Sequence, residues 1–301
     1  MDNTGYKILQ NQNKANNIDK LLAQRTLYSI GKGYQGLLLF ITIPIPIFIS
    51  FLINFYPKID DKNLIFVFLT IILIVLEKVF ETIINRNKKI AASIQEKFDL
   101  DVLNIKENET LNLAYIDLDI IREFSKKARK DNQKVQKVTN WYSDKIVSLA
   151  TNVSILFCQR MNICYDFSIR RKYNIYLGGL SLFTFIILLF ISLYMGITLK
   201  SFILQVLLPC LPIFNYSYKE INANIESIDN LQKLKEIIEH ELSISNNSSV
   251  INEHKLRNIQ DRIFNNRILS PLIPDFIYKL FWSKLEDQMN YSVENKINEL
   301  N

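Results

Sequence analysis

IYLGGLSLFTFIILLFISLYMGI, residues 175–197, runs for 23 residues without a charged side chain. A helix needs roughly 20 predominantly apolar residues to cross a bilayer core. Charge-free runs this long are rare in soluble cores, so this stretch predicts a membrane span. Three further apolar runs surround it. LLLFITIPIPIFISFLINFY (37–56) is followed, after PKIDDK, by NLIFVFLTIILIVLEKVFETII (63–84). TLK separates 175–197 from SFILQVLLPCLPIFNYSY (201–218). Short connections make each pair antiparallel neighbours. The expectation is an all-α membrane protein with four transmembrane helices arranged as two hairpins.

The second run meets Glu77, Lys78 and Glu81 early. It reads as a span whose inner end continues as a helix into the cytosol. The fourth is interrupted by Gln205, Pro209 and Pro212, and the first carries Pro44 and Pro46. Proline within an apolar run is tolerated in membrane helices, where neighbours re-satisfy the freed backbone groups.

Orientation follows from Lys and Arg. The hairpin tips hold only Lys58, Lys62 and Lys200. The other sides hold Lys20, Arg25, Lys32, Arg86, Lys88, Lys89, Arg170, Arg171, Lys172 and Lys219. Both termini therefore read as cytoplasmic. The expected organisation is a cytoplasmic helix over 1–36, a first hairpin over 37–84 and a central cytoplasmic helical region over 85–174. A second hairpin over 175–218 and a C-terminal cytoplasmic helical region over 219–301 complete it.

Composition narrows the function. The chain has 301 residues, a net charge of +6, and only seven glycines. A soluble α/β enzyme of this size usually carries more glycine for its turns. GKGYQG (31–36) matches G-x-G-x-x-G, but a helical stretch precedes it and no strand does, so it is no nucleotide fingerprint. Its glycines are expected to let the helix break as it enters the bilayer. Three cysteines at irregular spacing and two distant histidines offer neither a disulfide framework nor a zinc site. No early apolar core suggests a cleavable signal peptide. No catalytic constellation occurs, the carboxylates read as surface pairs among lysines, and neither an enzyme nor a cofactor is expected.

The cytoplasmic parts carry chemistry of another kind. Residues 121–137 hold Arg122, Lys126, Lys127, Arg129, Lys130, Lys134 and Lys137. They read either as a solvated helix face or as a surface for anionic lipid or phosphate. Trp141, Tyr165, Arg170, Arg171 and Tyr173 suit the membrane doorstep. Arg160 sits in apolar surroundings and needs a partner such as Asp166 or Asp144, or a ligand phosphate. Ile221, Ile225, Ile228, Leu231, Leu234, Ile238 and Leu242 form one apolar helix face. The last helix, 275–289, should dock on the cytoplasmic core.

Three stretches resemble the S-4TM family of pore-forming effectors. They are ILQNQNKANNIDKLLAQRTLYSIGK (8–32), WYSDKI with CQRMNICYDFSIRRKYN (141–146, 158–174) and LRNIQDRIFNNRILSPLIPDFIYKLF (256–281). One departure is Gly31, where Ala is expected; it bears on how straight that helix is. The resemblance implies an effector of a bacterial anti-phage system that senses a cyclic oligonucleotide and permeabilises the inner membrane. Its partners would be the bilayer, the nucleotide and further copies of itself, with no DNA or RNA polymer. Arg25, Arg160, Arg170 and Arg171 are the candidates for phosphate contacts, and Trp141 for stacking on a base. Pro44, Pro46, Asn54, Gln205, Pro209 and Pro212 are the candidates for a pore wall. Two other functions fit the same pattern. One is a non-conducting membrane scaffold for a cytoplasmic protein. The other is a small transporter, disfavoured because Glu77, Lys78 and Glu81 cluster at an inner end rather than at the midplane.

Overall fold

The computed structural model describes residues 5–42, 44–45, 62–194, 196, 198–244 and 251–300. It is helical throughout, with no extended strand among those residues. A short α1 (Tyr6–Gln12) precedes α2 (Ala15–Thr42). The next element, α3 (Lys62–Leu103), is 42 residues long and carries the second apolar run directly into a polar helix, as expected. Short pieces follow: α4 (Leu118–Ser125), a 3-10 turn Ala128–Lys130 and α5 (Asn132–Gln136). The carboxylates of Asp117 and Asp131 cap α4 and α5 by accepting from N–H groups that the first turn leaves unbonded. The basic stretch 121–137 is therefore not one helix. Asp131 accepts from the Gln133 and Lys134 N–H groups and so starts a new helix inside the stretch.

After the 3-10 turn Asp144–Ile146 comes α6 (Thr151–Tyr194), 44 residues in one piece. A helical turn at Leu199–Ser201 and a π-helical segment, Phe202–Leu207, lead into α7 (Leu208–Ile244). Pro209 lacks the N–H that would bond the Gln205 carbonyl, and underwinding of the preceding turn is the usual response. The chain ends with α8 (Glu253–Leu269) and α9 (Asp275–Leu300).

Two corrections concern α2. It does not break at its glycines: Gly31, Gly33 and Gly36 all lie within one continuous helix. Gly31 is small for packing reasons, since a Cβ there would stand 3.0 Å from the Leu272 Cδ1 atom. Among the described helices, one, Thr151–Tyr194, is long and apolar enough to cross a membrane, with a mean hydropathy of 2.3 over its best window. Only 12% of that window is buried within the protein, so its apolar surface faces outward. Pro46, Asn54 and the first hairpin's tip lie outside the described residues.

The long helices associate as α2 against α3 and α6 against α7. Their polar ends enclose the main core, where Leu21, Leu22, Phe98, Leu103, Tyr142, Ile146, Phe157, Leu234 and Ile238 are fully buried. The apolar face of α7 buries Leu231, Leu234, Ile238 and Leu242 as its spacing implies, but Ile225 is exposed. In the upper turns Asn224 and Ser227 turn inward instead. The terminal helix docks along α6 through Ile277, Leu285, Val293 and Ile297.

Candidate functional site: a polar junction beneath the apolar helices

The turn Ser270–Pro274 joins α8 to α9, and three of its carbonyls point at three different long helices. Lys88 Nζ on α3 donates to the Ser270 carbonyl (3.2 Å). Arg170 Nη1 on α6 donates to the Pro271 carbonyl (3.0 Å). Gln35 Nε2 on α2 lies 3.4 Å from the Leu272 carbonyl. The fourth long helix, α7, joins through Ser227, whose hydroxyl meets Ser270 Oγ (2.7 Å) and Asn266 Oδ1 (3.2 Å). A turn of three residues thus ties all four long helices together. Pro271 suits it because a residue without an N–H adds no donor to be satisfied.

The junction continues toward the apolar layer. Gln35 Nε2 also approaches Tyr216 Oη (3.1 Å) and Glu220 Oε1 (3.3 Å). Burial pushes the Glu220 carboxyl up to about 7, although Tyr216, Arg170 and Lys88 all favour its anion. Its Oε2 is buried and accepts no hydrogen bond. Burial also lowers Lys88, and the like charge of Arg170 lowers it further. At the outer edge Lys32 pairs with Asp275 at 2.5 Å and lies 4.4 Å from the Tyr278 ring centroid. Tyr176, the second residue of the third apolar run, meets Phe276 edge-on at 5.7 Å. The beginning of α9 therefore stands level with the boundary between polar and apolar surface.

Below the turn, α8 grips a buried acidic pair. Glu96 and Asp99 on α3 have no exposed surface, which corrects the reading of the carboxylates as surface pairs. Arg257 Nη2 donates to Glu96 Oε1 (2.6 Å) and Arg267 Nη1 to Asp99 Oδ2 (2.7 Å). Gln260 Nε2 bridges the two carboxylates at 2.8 and 3.1 Å. Tyr142 Oη donates to Asp99 Oδ1 at 2.6 Å. Burial raises Glu96, and the neighbouring Asp99 charge raises it further. Cys158 lies in the same core, and burial raises its thiol well above the ordinary value, so it is inert.

The five candidate ligand contacts do not converge on one pocket. Arg160 is 4% exposed and satisfied by Glu239 (2.7 Å) and Ser292 Oγ (2.9 Å), rather than by Asp166 or Asp144. Arg170 is committed to Asp166 (3.0 Å), Asn224 (2.8 Å) and the Pro271 carbonyl. Trp141 is half-buried with its ring edge-on to Phe98 at 6.4 Å. Arg171 is exposed and lies over the Phe167 ring at 5.6 Å. Arg25 is half-buried, donates to the Lys137 carbonyl (2.9 Å), and pairs with no carboxylate among the described residues. That bond places it against the basic stretch, where Lys126, Lys127, Lys130, Lys134 and Lys137 are exposed. Burial lowers its guanidinium from the ordinary value. Of the pore-wall candidates, Pro44 is exposed, Gln205 lies in the π-helical segment, and Pro209 and Pro212 lie in the first turns of α7.

Sequence reasoning missed the junction almost entirely. Gln35, Lys88, Glu220, Asn224 and Ser227 each look like solvated polar residues. A partial signal was present on α3, where Asp99 lies three residues from both Glu96 and Val102, at the flank of the apolar face made by Ile94, Phe98 and Val102.

The described residues define a class: a helical protein with a buried charged core and one helix long and apolar enough to cross a membrane. The chain belongs to the family described as the SMODS-associating 4TM effector domain, which matches residues 6–296. It is also similar to a probable CBASS effector molecule of Bacillus cereus (strain VD146). The two are 29% identical over 287 residues, covering 94% of this chain and 95% of that protein. No solved structure matches.

Proposed function

We propose that this chain is an effector of a cyclic-oligonucleotide-based anti-phage system and acts by permeabilising the bacterial inner membrane. The apolar runs cross that membrane as two hairpins, with both termini, 85–174 and 219–301 on the cytoplasmic side. A cyclic oligonucleotide is sensed there. The chain assembles with further copies, and the stretches that carry Pro44, Pro46, Asn54, Gln205, Pro209 and Pro212 come to line the opening.

The observation that carries this reading is the turn Ser270–Leu272, held by all four long helices at once. A ligand shifts a conformational equilibrium only through its differential affinity for the two states. A change in the cytoplasmic core that displaces α8 reaches every apolar helix through this turn. Phosphate recognition falls to Arg25 with the basic stretch 126–137, because Arg160 and Arg170 are already occupied. Trp141 and Arg171 remain available at the periphery.

The test is dye release from vesicles of bacterial lipid holding the purified chain, with and without a panel of cyclic oligonucleotides. Release with one nucleotide, lost in Arg25→Ala, supports the reading. Vesicles that stay sealed with every nucleotide refute it and leave the scaffold function.

A further inference from the structure

We infer that Glu220 is a proton-operated lock on the junction, holding the four long helices together when neutral and loosening them when ionised. The inference takes its functional consequence from the permeabilising role, but the lock itself stands on geometry.

Glu220 stands at the top of the junction, among groups from every long helix. Gln35 faces it from α2 and Lys88 from α3. Arg170 and Tyr173 face it from α6, and Tyr216 from one turn earlier on α7. Only Gln35 and Tyr216 bond to it. Arg170 commits its Nε to Asp166 and its Nη1 to Asn224 and the Pro271 carbonyl, while Lys88 is directed at the Ser270 carbonyl. Neither cation comes within ion-pair distance of the Glu220 carboxylate among the described residues. The second carboxylate oxygen is buried without a partner. An anion so placed is costly, and protonation removes the cost. Gln35 is the shared element, since the same amide nitrogen serves Glu220, Tyr216 and the Leu272 carbonyl. Ionised Glu220 draws that donor and water toward itself and away from the turn.

The direction follows by linkage. The group titrates near 7 in the closed junction, against an ordinary value of 4.5. Stability from a group raised in the closed state is fully present below the ordinary value and is lost as pH rises through about 7. Acidification therefore tightens the junction, and a neutral to alkaline cytoplasm leaves it easier to open.

The experiment measures backbone hydrogen exchange over residues 266–277 at pH 5.5 and 7.5, corrected for intrinsic exchange, with the full chain in lipid nanodiscs. In the wild type, protection should fall roughly twentyfold between the two pH values, each pKa unit of differential proton binding corresponding to a tenfold change in equilibrium. Glu220→Gln keeps an acceptor at the site without the charge, and should stay protected at both. Glu226→Gln, an exposed position on the same helix, should behave as wild type. A wild type with equal protection at both pH values overturns the inference, as does a Glu220→Gln variant that still loses protection. Dye release separates this result from the broader role: if exchange behaves as expected while vesicles stay sealed with every nucleotide, the lock stands and the permeabilising role falls.

Discussion

Replacing Arg267 with Met removes the cation that faces Asp99 at 2.7 Å and stands 3.9 Å from Glu96. Both carboxylates remain buried, with Arg257, Gln260 and Tyr142 as their remaining partners. Removing one member of a buried ion pair costs about 3–5 kcal/mol, because the charge left behind is uncompensated. For a chain of this size that is a fall of about 10 °C in Tm. Differential scanning fluorimetry in detergent reads it directly. The electrostatic cause has two signatures that loss of packing lacks. First, Glu96 is already raised by burial and by Asp99, so its contribution to stability is kept at low pH and lost as pH rises. Arg267 favours the Glu96 anion, so without it Glu96 shifts further in the same direction, and the deficit should shrink between pH 8 and pH 5.5. Second, adding Asp99→Asn should recover part of the loss, since the amide oxygen still accepts from Tyr142. A loss under about 1 kcal/mol refutes the reasoning, being what an exposed ion pair contributes. A deficit equal at both pH values and unrelieved in the double variant refutes it too.

Other perturbations follow from single contacts. Arg25→Ala removes the bond to the Lys137 carbonyl and should lower Tm by only about 2–4 °C, the worth of about 1 kcal/mol, while weakening the nucleotide response about tenfold or more, the worth of one charge-assisted hydrogen bond; dye release against ligand concentration measures both the response and its midpoint. Gly31→Val places its branched side chain where a Cβ alone would meet Leu272 at 3.0 Å, and overpacking of about 1–3 kcal/mol should lower Tm. Cys158 should resist alkylation at pH 7.5 until the chain is unfolded, read by mass spectrometry of its peptide, because burial disfavours the thiolate.

The third apolar run was legible because lipid imposes a length on any helix that crosses it, and Thr151–Tyr194 is the one described helix that meets that length and apolarity. Glu77, Lys78 and Glu81 do not end α3, so the expected continuation of the second run into a polar helix holds over all 42 residues. The glycines of α2 misled because a glycine signals either a bend or a close approach, and only the position of Leu272, 241 residues further on, decides between them. Burial of Glu96 and Asp99 was hidden for the same reason. Their partners Arg257 and Arg267 are more than 150 residues away, and local charge balance on α3, with Lys97 between the two carboxylates, imitates a solvated face. Of the candidate ligand contacts, the need of Arg160 for a partner was legible; that the partner is Glu239 on α7 was not, because two acids nearer in sequence offered themselves.

The separation of the two polar clusters bears on how a signal crosses the molecule. The acidic pair Glu96–Asp99 is bonded on every side and sits among fully buried side chains, so it fixes α3 against α8 firmly. The junction above it includes short bonds at Ser227 and Arg170, but three of its contacts converge on one Gln35 nitrogen at 3.1 to 3.4 Å. A single amide nitrogen has two hydrogens, so three acceptors cannot all be served at once. The weak layer thus lies between a rigid core and the apolar helices, where local opening costs least. A perturbation that turns α8 against α3 must break strong charge-assisted bonds. Sliding α8 and α3 together would break further ties as well, among them Lys20 to Asp101, Gln159 to Gln260 and Lys255 to Glu241, whereas shifting the turn alone breaks only longer or single bonds made by Gln35, Lys88, Arg170 and Ser227. The expected motion is therefore displacement of the turn Ser270–Leu272 relative to α2, α6 and α7, with α3 still packed on α2 and α8 still held by Glu96 and Asp99. Cross-linking α3 to α8 near Glu96 should leave nucleotide-dependent dye release intact, whereas cross-linking the turn to α2 near Gln35 should abolish it; the opposite pattern would assign the hinge to the core.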